Sequence, residues 1–253
     1  MRYWIIHKED SLSLELKKRL VKEIQLELSP DDPDYVIVIG GDGTFISAVH
    51  QYPNAVFFGI HTGHLGFYAN YTLEDISKLI DDIHKQSFLV ERLDVLDCRL
   101  SYDKEVIHTF AMNELTLITP PKTLIAEVFV DAEKLETFRG TGLCISTPYG
   151  STAYNKSLHG AVLDSTLKAF QISEIAGINS NSYRTLTSSL LLSCNRIVKI
   201  MVEQPEEVFV TIDHLSYHLK NFKEVQIQLC LEQITVAAPK NIHFIERIKR
   251  TFL

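Results

Sequence analysis

Three glycines, a carboxylate and a hydroxyl follow directly on the apolar run Tyr35–Ile39, in the order Gly40, Gly41, Asp42, Gly43, Thr44. Glycine allows positive φ and lets the backbone approach a ligand with no Cβ in the way. Amides in such a turn become available to phosphate oxygens, and a helix behind it would add its first N–H groups and the positive end of its dipole. Gly40, Gly41, Gly43 and Thr44 are therefore candidate phosphate-binding positions. Asp42 needs a separate reason, because a carboxylate beside phosphate is repulsive unless it meets a cation or takes a proton from a hydroxyl. That combination points to phosphoryl transfer. The spacing is neither GxxxxGK[ST] nor GxGxxG, which removes support from the P-loop ATPase and dinucleotide dehydrogenase readings. The bland alternative is a tight glycine turn in which Asp42 caps the following helix.

Two further groups carry chemistry. Asn113 and Glu114 head the apolar run in "MNELTL" (112–117). An amide beside a carboxylate suits the vicinal hydroxyls of a ribose, but adjacent strand residues face opposite ways, so both serve one ligand only at a strand end or bend. On its own the pair reads as readily as a solvated edge. In "FRGTGLCISTPYGSTAYNKSLHG" (138–160), Gly140, Gly142, Pro148 and Gly150 punctuate small hydroxyl residues, the composition of a snug polar loop. Ser151 is expected to cap a helix running toward Gly160. The amides of Thr152 and Ala153 would then be presented, with Tyr154 offering a ring and a hydroxyl against which a nucleotide fits.

The elements that must position these groups follow from periodicity. "YWIIH" (3–7), "YVIVI" (35–39) and "AVFFGI" (55–60) read as strands, nearly all apolar as in a parallel sheet covered on both faces. Leu12, Leu16, Leu20 and Ile24 recur at helical spacing, a second helix is expected from Thr44 to Tyr52, and Thr72 with Asp75 forms a capping box ahead of a third that ends near Lys85. Beyond Phe88 the period changes to strand alternation, as in "FLVERLDVLDCRLSY", "TLIAEVFVDAEKLETF" and "EVFVTID", with Val225, Ile227, Leu229 and Leu231 sharing one face. The expectation is an α/β domain with a Rossmann-like parallel sheet over 1–90 and a β-rich domain over 91–239. The two should pack tightly and share a cleft, with the tail 240–253 packing back on the first.

Composition bounds the rest. The chain has 253 residues, 45% of them hydrophobic, and a net charge of −7, with no basic block dense enough to neutralise a nucleic-acid backbone. The four cysteines are far apart and form no CxxC pair, so reduced thiols are expected rather than a zinc knuckle or a disulfide framework. Neither a signal peptide nor a membrane span is legible, and a cytoplasmic location is expected.

The GGDGT turn alone resembles a superfamily of kinases that includes lipid kinases and NAD kinases. Read with Asn113-Glu114 and "STPYGSTAYNKS", and with "FGIHTGHLGF" (58–67), "YRTL" (183–186) and "IDH" (212–214), the chain resembles the NAD kinase family, of the short bacterial type. The resemblance implies transfer of a phosphoryl group from ATP to the adenosine 2′-hydroxyl of NAD, a divalent cation such as Mg²⁺, and a homodimer or homotetramer. It also implies roles. Asp42 matches the base or metal-linked carboxylate and Gly43 its phosphate-facing neighbour, while Phe67 matches an aromatic wall near the phosphates. Asn113 and Glu114 match the pair holding the adenosine, and Thr152, Ala153, Tyr154 and Ser157 match residues around adenine and ribose. Arg139 and Ala176 match peripheral NAD contacts, and His214 a polar residue near the ligand. One departure stands out: where the family pattern reads RGDG, this chain has Arg139-Gly140-Thr141-Gly142, so Thr141 replaces a carboxylate expected near the nicotinamide end. A lipid kinase would not need the polar 146–157 loop, and a non-catalytic dinucleotide sensor would not need Asp42.

Overall fold

The computed structural model of the chain describes residues 1–63, 66–203, 207–240 and 243–253; positions 64 and 65 of the FGIHTGHLGF stretch lie outside them. In chain order the first elements are β1 (Arg2–His7), α1 (Ser11–Ile24), β2 (Glu27–Leu28), β3 (Tyr35–Ile39), α2 (Asp42–Gln51), β4 (Val56–Ile60) and α3 (Ile76–Lys85). There follow β5 (Leu89–Tyr102), β6 (Glu105–Ala111), β7 (Glu114–Ile118), β8 (Leu124–Val130), β9 (Glu133–Gly140), β10 (Gly142–Ser146) and the single-turn helix α4 (Tyr154–Ser157). The last are β11 (Ala169–Ile175), β12 (Leu190–Ser193), β13 (Ile197–Val202), β14 (Glu207–Ile212), β15 (Leu215–Lys220), β16 (Phe222–Ala238) and α5 (Phe244–Phe252). The chain forms two compact units, Met1–Leu93 with Glu232–Leu253, and Asp94–Leu231.

The first unit is α/β. Its strands β2, β1, β3 and β4 pair in that order, all parallel, and the end of β16 adds a further parallel strand through Thr235 and Val236. All positions of β3 are buried, as a parallel strand covered on both faces requires. Helix α1 starts where the Asp10 carboxylate accepts the Ser13 N–H at 2.8 Å, buries Leu16, Leu20 and Ile24, and ends at Gln25 in the left-handed conformation. Helix α2 begins at Asp42, two positions before the Thr44 start read from the sequence, because the chain leaves the extended conformation directly after Gly41 (φ −92°, ψ −174°). The Thr72/Asp75 box is formed, though it closes a 3₁₀ turn, Leu73–Asp75, that leads into α3.

The second unit is β-rich. One antiparallel sheet runs β12-β11-β10-β7-β14-β15, and a second set joins β16, β13, β8 and β9. A single apolar cluster combines Leu115, Leu117, Leu143 and Val210 of the first sheet with Val128, Ile200, Val225 and Ile227 of the second, so the two layers face one another as a sandwich. The expected alternation along β16 holds from Val225 to Leu229 and then breaks. Leu231 is exposed and Glu232 takes φ 55°, where the strand leaves this core and continues into the first unit.

Candidate active site

The first group is built at the start of α2. Both oxygens of the Asp42 carboxylate accept backbone N–H groups, from Phe67 at 2.9 Å and Tyr68 at 3.2 Å. It makes no cap bond to its own helix, so the capping explanation of Asp42 does not hold. Burial raises the Asp42 carboxyl above its ordinary range, and the Phe67 and Tyr68 amides and the charge of Arg247 oppose that rise. The glycines differ in what they need. A Cβ on Gly40 would come 2.8 Å from Thr44 Oγ1, whereas one on Gly41 or Gly43 would meet nothing within 4 Å. Positive φ, the reason anticipated from the sequence, applies to neither Gly41 nor Gly43; among the described glycines only Gly40 has it, at 159° and next to extended backbone. Open space is what Gly41 and Gly43 provide. A cavity of about 350 Å³ lies against Gly40 and Gly41, with Lys8, Asp10, Leu12, Thr62 and Gly63 as its other walls.

Phe67 enters this group through its backbone. The residue is 6% exposed and its ring, expected as an aromatic wall, packs on Phe252 of α5 with centroids 5.8 Å apart.

The second group is a corner at the head of β7. Asp213, with φ 52° in the tight turn between β14 and β15, directs its carboxylate at three successive amides: Met112 at 2.8 Å, Asn113 at 2.8 Å and Glu114 at 3.3 Å. On the carbonyl side, Thr147 Oγ1 donates to Met112 O at 2.6 Å and Thr147 N–H to Asn113 O at 2.9 Å. Gly150 presses so close that a Cβ there would lie 2.0 Å from Asn113 O. This is the bend that the adjacent Asn113 and Glu114 need to serve one ligand. The Tyr154 N–H donates to the Glu114 carboxylate, which joins the pair to the 146–157 loop. Glu114 Oε2 is buried with no hydrogen-bond partner, and burial, followed by the charge of Asp213, raises the carboxyl to about 7.

The 146–157 loop departs from its expected form. Ser151 caps no helix: it is buried, donating to Pro148 O at 2.5 Å and accepting the Leu163 N–H at 2.9 Å. The amides of Thr152 and Ala153 are spent on the carbonyls of Tyr149 and Gly150, and the helix behind them is a single turn. Tyr154, Lys156 and Ser157 are exposed.

Arg139, Thr141 and Ala176 form a third group. Ile178 N–H donates to Arg139 O at 2.7 Å, Thr141 N–H donates to Ile175 O at 2.9 Å, and the Arg139 guanidinium lies 4.3 Å over the Tyr183 ring. Thr141 is exposed. In the β7–β10 register Glu114 sits opposite Ser146 and Ile118 opposite Gly142. The third group is therefore a strand length, about 14 Å, from Glu114. His214 is exposed beside Asp213.

Among the described residues no group of three or more His, Cys, Asp or Glu side chains is placed to hold a metal ion. The donor set does not fit a resident all-protein cage. It does fit Mg²⁺ carried on nucleotide phosphates, which takes one or two protein carboxylates, and Asp42 is the carboxylate standing at the glycine turn.

Asp213, Thr147 and Arg247 were not singled out from the sequence. Asp213 and Thr147 lie inside the IDH and STPYGSTAYNKS stretches quoted above without a role of their own, and Asp213 also ends an alternating strand, the usual place for a turn residue with φ > 0; Arg247 left no such signal.

Comparison with known proteins identifies the family. Residues 7–88 match the ATP-NAD kinase N-terminal domain and residues 99–237 the ATP-NAD kinase C-terminal domain. The chain is 40% identical to the NAD kinase of Staphylococcus saprophyticus, over 100% of this chain and 98% of that protein. It is 36% identical to the NAD kinase of Enterococcus faecalis, over 100% and 99%. Its fold resembles the crystal structure of yeast NADH kinase complexed with NADH (TM-score 0.84, 20% identity, 98% of this chain and 86% of that one). It also resembles an NAD kinase from Archaeoglobus fulgidus in complex with ATP (TM-score 0.77, 23% identity, 99% and 98%). With both family domains matched along its length, the chain belongs to the ATP-NAD kinase family.

Proposed function

We propose that the chain transfers the γ-phosphoryl group of ATP to the adenosine 2′-hydroxyl of NAD, forming NADP and ADP. The observation that carries this reading is the pairing of open space at Gly41 and Gly43 with the fixed Asp42 carboxylate, since no packing demand explains those glycines. Backbone amides at the start of α2 receive the phosphates, Thr44 among them. The 2′-oxygen attacks the γ-phosphorus as the bond to the bridging β–γ oxygen breaks, and the hydroxyl proton passes to Asp42. A carboxyl raised by burial is the better proton acceptor for it. Mg²⁺ on the triphosphate would offset phosphate charge. Asn113 and Glu114 grip the ribose from their clamped corner, with Tyr154, Thr152, Ala153 and Ser157 beside the adenine. The group at Arg139, Thr141 and Ala176 is assigned to the nicotinamide end of the dinucleotide, and His214 to the ligand's margin.

The chain works as a homodimer or homotetramer in the cytoplasm, a reducing setting that the free cysteines fit; among the described residues no helix is long and apolar enough to cross a membrane. The test is purified protein with Mg-ATP offered NAD, NADH or diacylglycerol. NADP or NADPH is the expected product, and a phosphorylated lipid would overturn the reading. Asp42→Asn should abolish turnover while NAD still binds, and near-normal turnover in it would remove Asp42 from the role of base.

A further inference from the structure

Helix α5 lies in the 240–253 tail, expected from the sequence to pack back on the first domain. One residue in it is buried against type: Arg247, 6% exposed. Its guanidinium donates to Phe67 O at 2.9 Å, to Asn70 Oδ1 at 3.2 Å and to the Glu91 carboxylate. A buried arginine satisfied by a carbonyl, an amide and a carboxylate is a fixed fork, because its planar donors leave little freedom once paired. Phe67 is the residue whose N–H holds Asp42 Oδ2, so one peptide segment carries Asp42 on its amide side and Arg247 on its carbonyl side. Phe252, a turn and more further along α5, packs on the ring of the same Phe67. On the Asp42 side the fit is close: a Cβ on Gly66 would come 2.1 Å from Asp42 Oδ1, and the next amide, Tyr68, holds that same oxygen.

We propose that Arg247 is a positioning residue for the phosphoryl transfer, and that α5 acts through it to hold the 66–68 segment and hence the Asp42 carboxylate where the reacting hydroxyl must meet it. The inference rests on the reading of Asp42 as the base. A side chain that only stabilised the first unit would lower the melting temperature without separating kcat from KM. A positioning residue lowers kcat, because a carboxylate misplaced by about 1 Å loses on the order of 10²-fold in rate while the nucleotide still binds.

The experiment compares Arg247→Met, Arg247→Lys and Asp42→Asn in the full-length protein, by melting temperature, kcat, KM for NAD and equilibrium NAD binding. Arg247→Met should lose about 10-fold to 100-fold in kcat with KM for NAD within about 2-fold. Guanidinium ion at concentrations that leave the fold intact should restore part of that loss. Arg247→Lys, which keeps the charge but cannot bridge three acceptors, should fall between. Folded Arg247→Met with wild-type kcat overturns the proposal, as does a loss appearing only in KM for NAD. Should Arg247→Met fail to fold, Arg247→Lys decides, and wild-type kcat in it is the overturning result. Normal turnover in Asp42→Asn would instead sink the assignment of the base, whereas a dead Asp42→Asn beside a fully active Arg247→Met would sink only the role of Arg247.

Discussion

Glu114→Gln offers a measurement whose sign and size follow from the structure. Burial first, and then the charge of Asp213, raises the Glu114 carboxyl from 4.5 to about 7, against the opposing Tyr154 amide. A carboxyl whose folded value lies above its unfolded one favours the protonated folded state. Its stabilisation is complete below pH 4.5 and is lost as pH rises through about 7. At about 1.36 kcal/mol for each tenfold change in the proton equilibrium, the loss reaches about 3 kcal/mol at most, and screening at this half-buried site reduces it to ~1–3 kcal/mol. Glutamine is neutral throughout, so the variant lacks this slope. Urea unfolding of both proteins at about pH 5, 6.5 and 8 reads it out, and the variant should gain on the wild type by that amount between the first and the last. A constant offset from Gln meeting the Tyr154 N–H less well does not imitate a slope. Parallel pH dependences would refute the argument that this carboxyl is lifted. Asp213→Asn removes the second cause, so the wild-type slope should move to lower pH.

Two further outcomes follow. Gly66→Ala places a Cβ 2.1 Å from Asp42 Oδ1, which forces the carboxylate off its amides; kcat should fall at least about 10-fold while calorimetric NAD affinity holds, and unchanged kcat would show that the carboxylate has room to spare. Thr141→Asp adds a carboxylate at an exposed position, so stability should stay within about 0.5 kcal/mol. Its effect should instead be on KM for NAD or for NADH, by about 10-fold to 100-fold, as a contact to a charged group is worth ~1.5–3 kcal/mol. Steady-state constants identical to wild type for both dinucleotides would remove Thr141 from the ligand.

Strands β1, β3 and β4 could be read directly, because a strand covered on both faces must be apolar at every position and "YVIVI" is; the short exposed β2 and the parallel end of β16 could not. Helix α1 announced itself by spacing and α3 by the Thr72/Asp75 box ahead of it. Ser151 shows where such reasoning fails. A serine ahead of a polar run has the signature of a cap, yet its hydroxyl turns inward to Pro148 O because the loop folds over the corner at Asn113 and the following helix never extends past one turn. Leu231 fails for a related reason: the alternation continues in the sequence, but the strand changes its core at Glu232.

The sequence by itself determined which chemistry was available: a carboxylate in a glycine turn, an amide beside a carboxylate, and a small-residue loop, since residue type and short-range spacing are local properties. Only the tertiary structure decided what each of these groups meets. Asp42 is held by amides 25 and 26 positions away, the Asn113-Glu114 corner by a carboxylate 100 positions away from Asn113, and Phe67 by an arginine 180 positions away. Such contacts join single residues across the fold with no period and no shared motif, so they become visible only when packing brings the segments together.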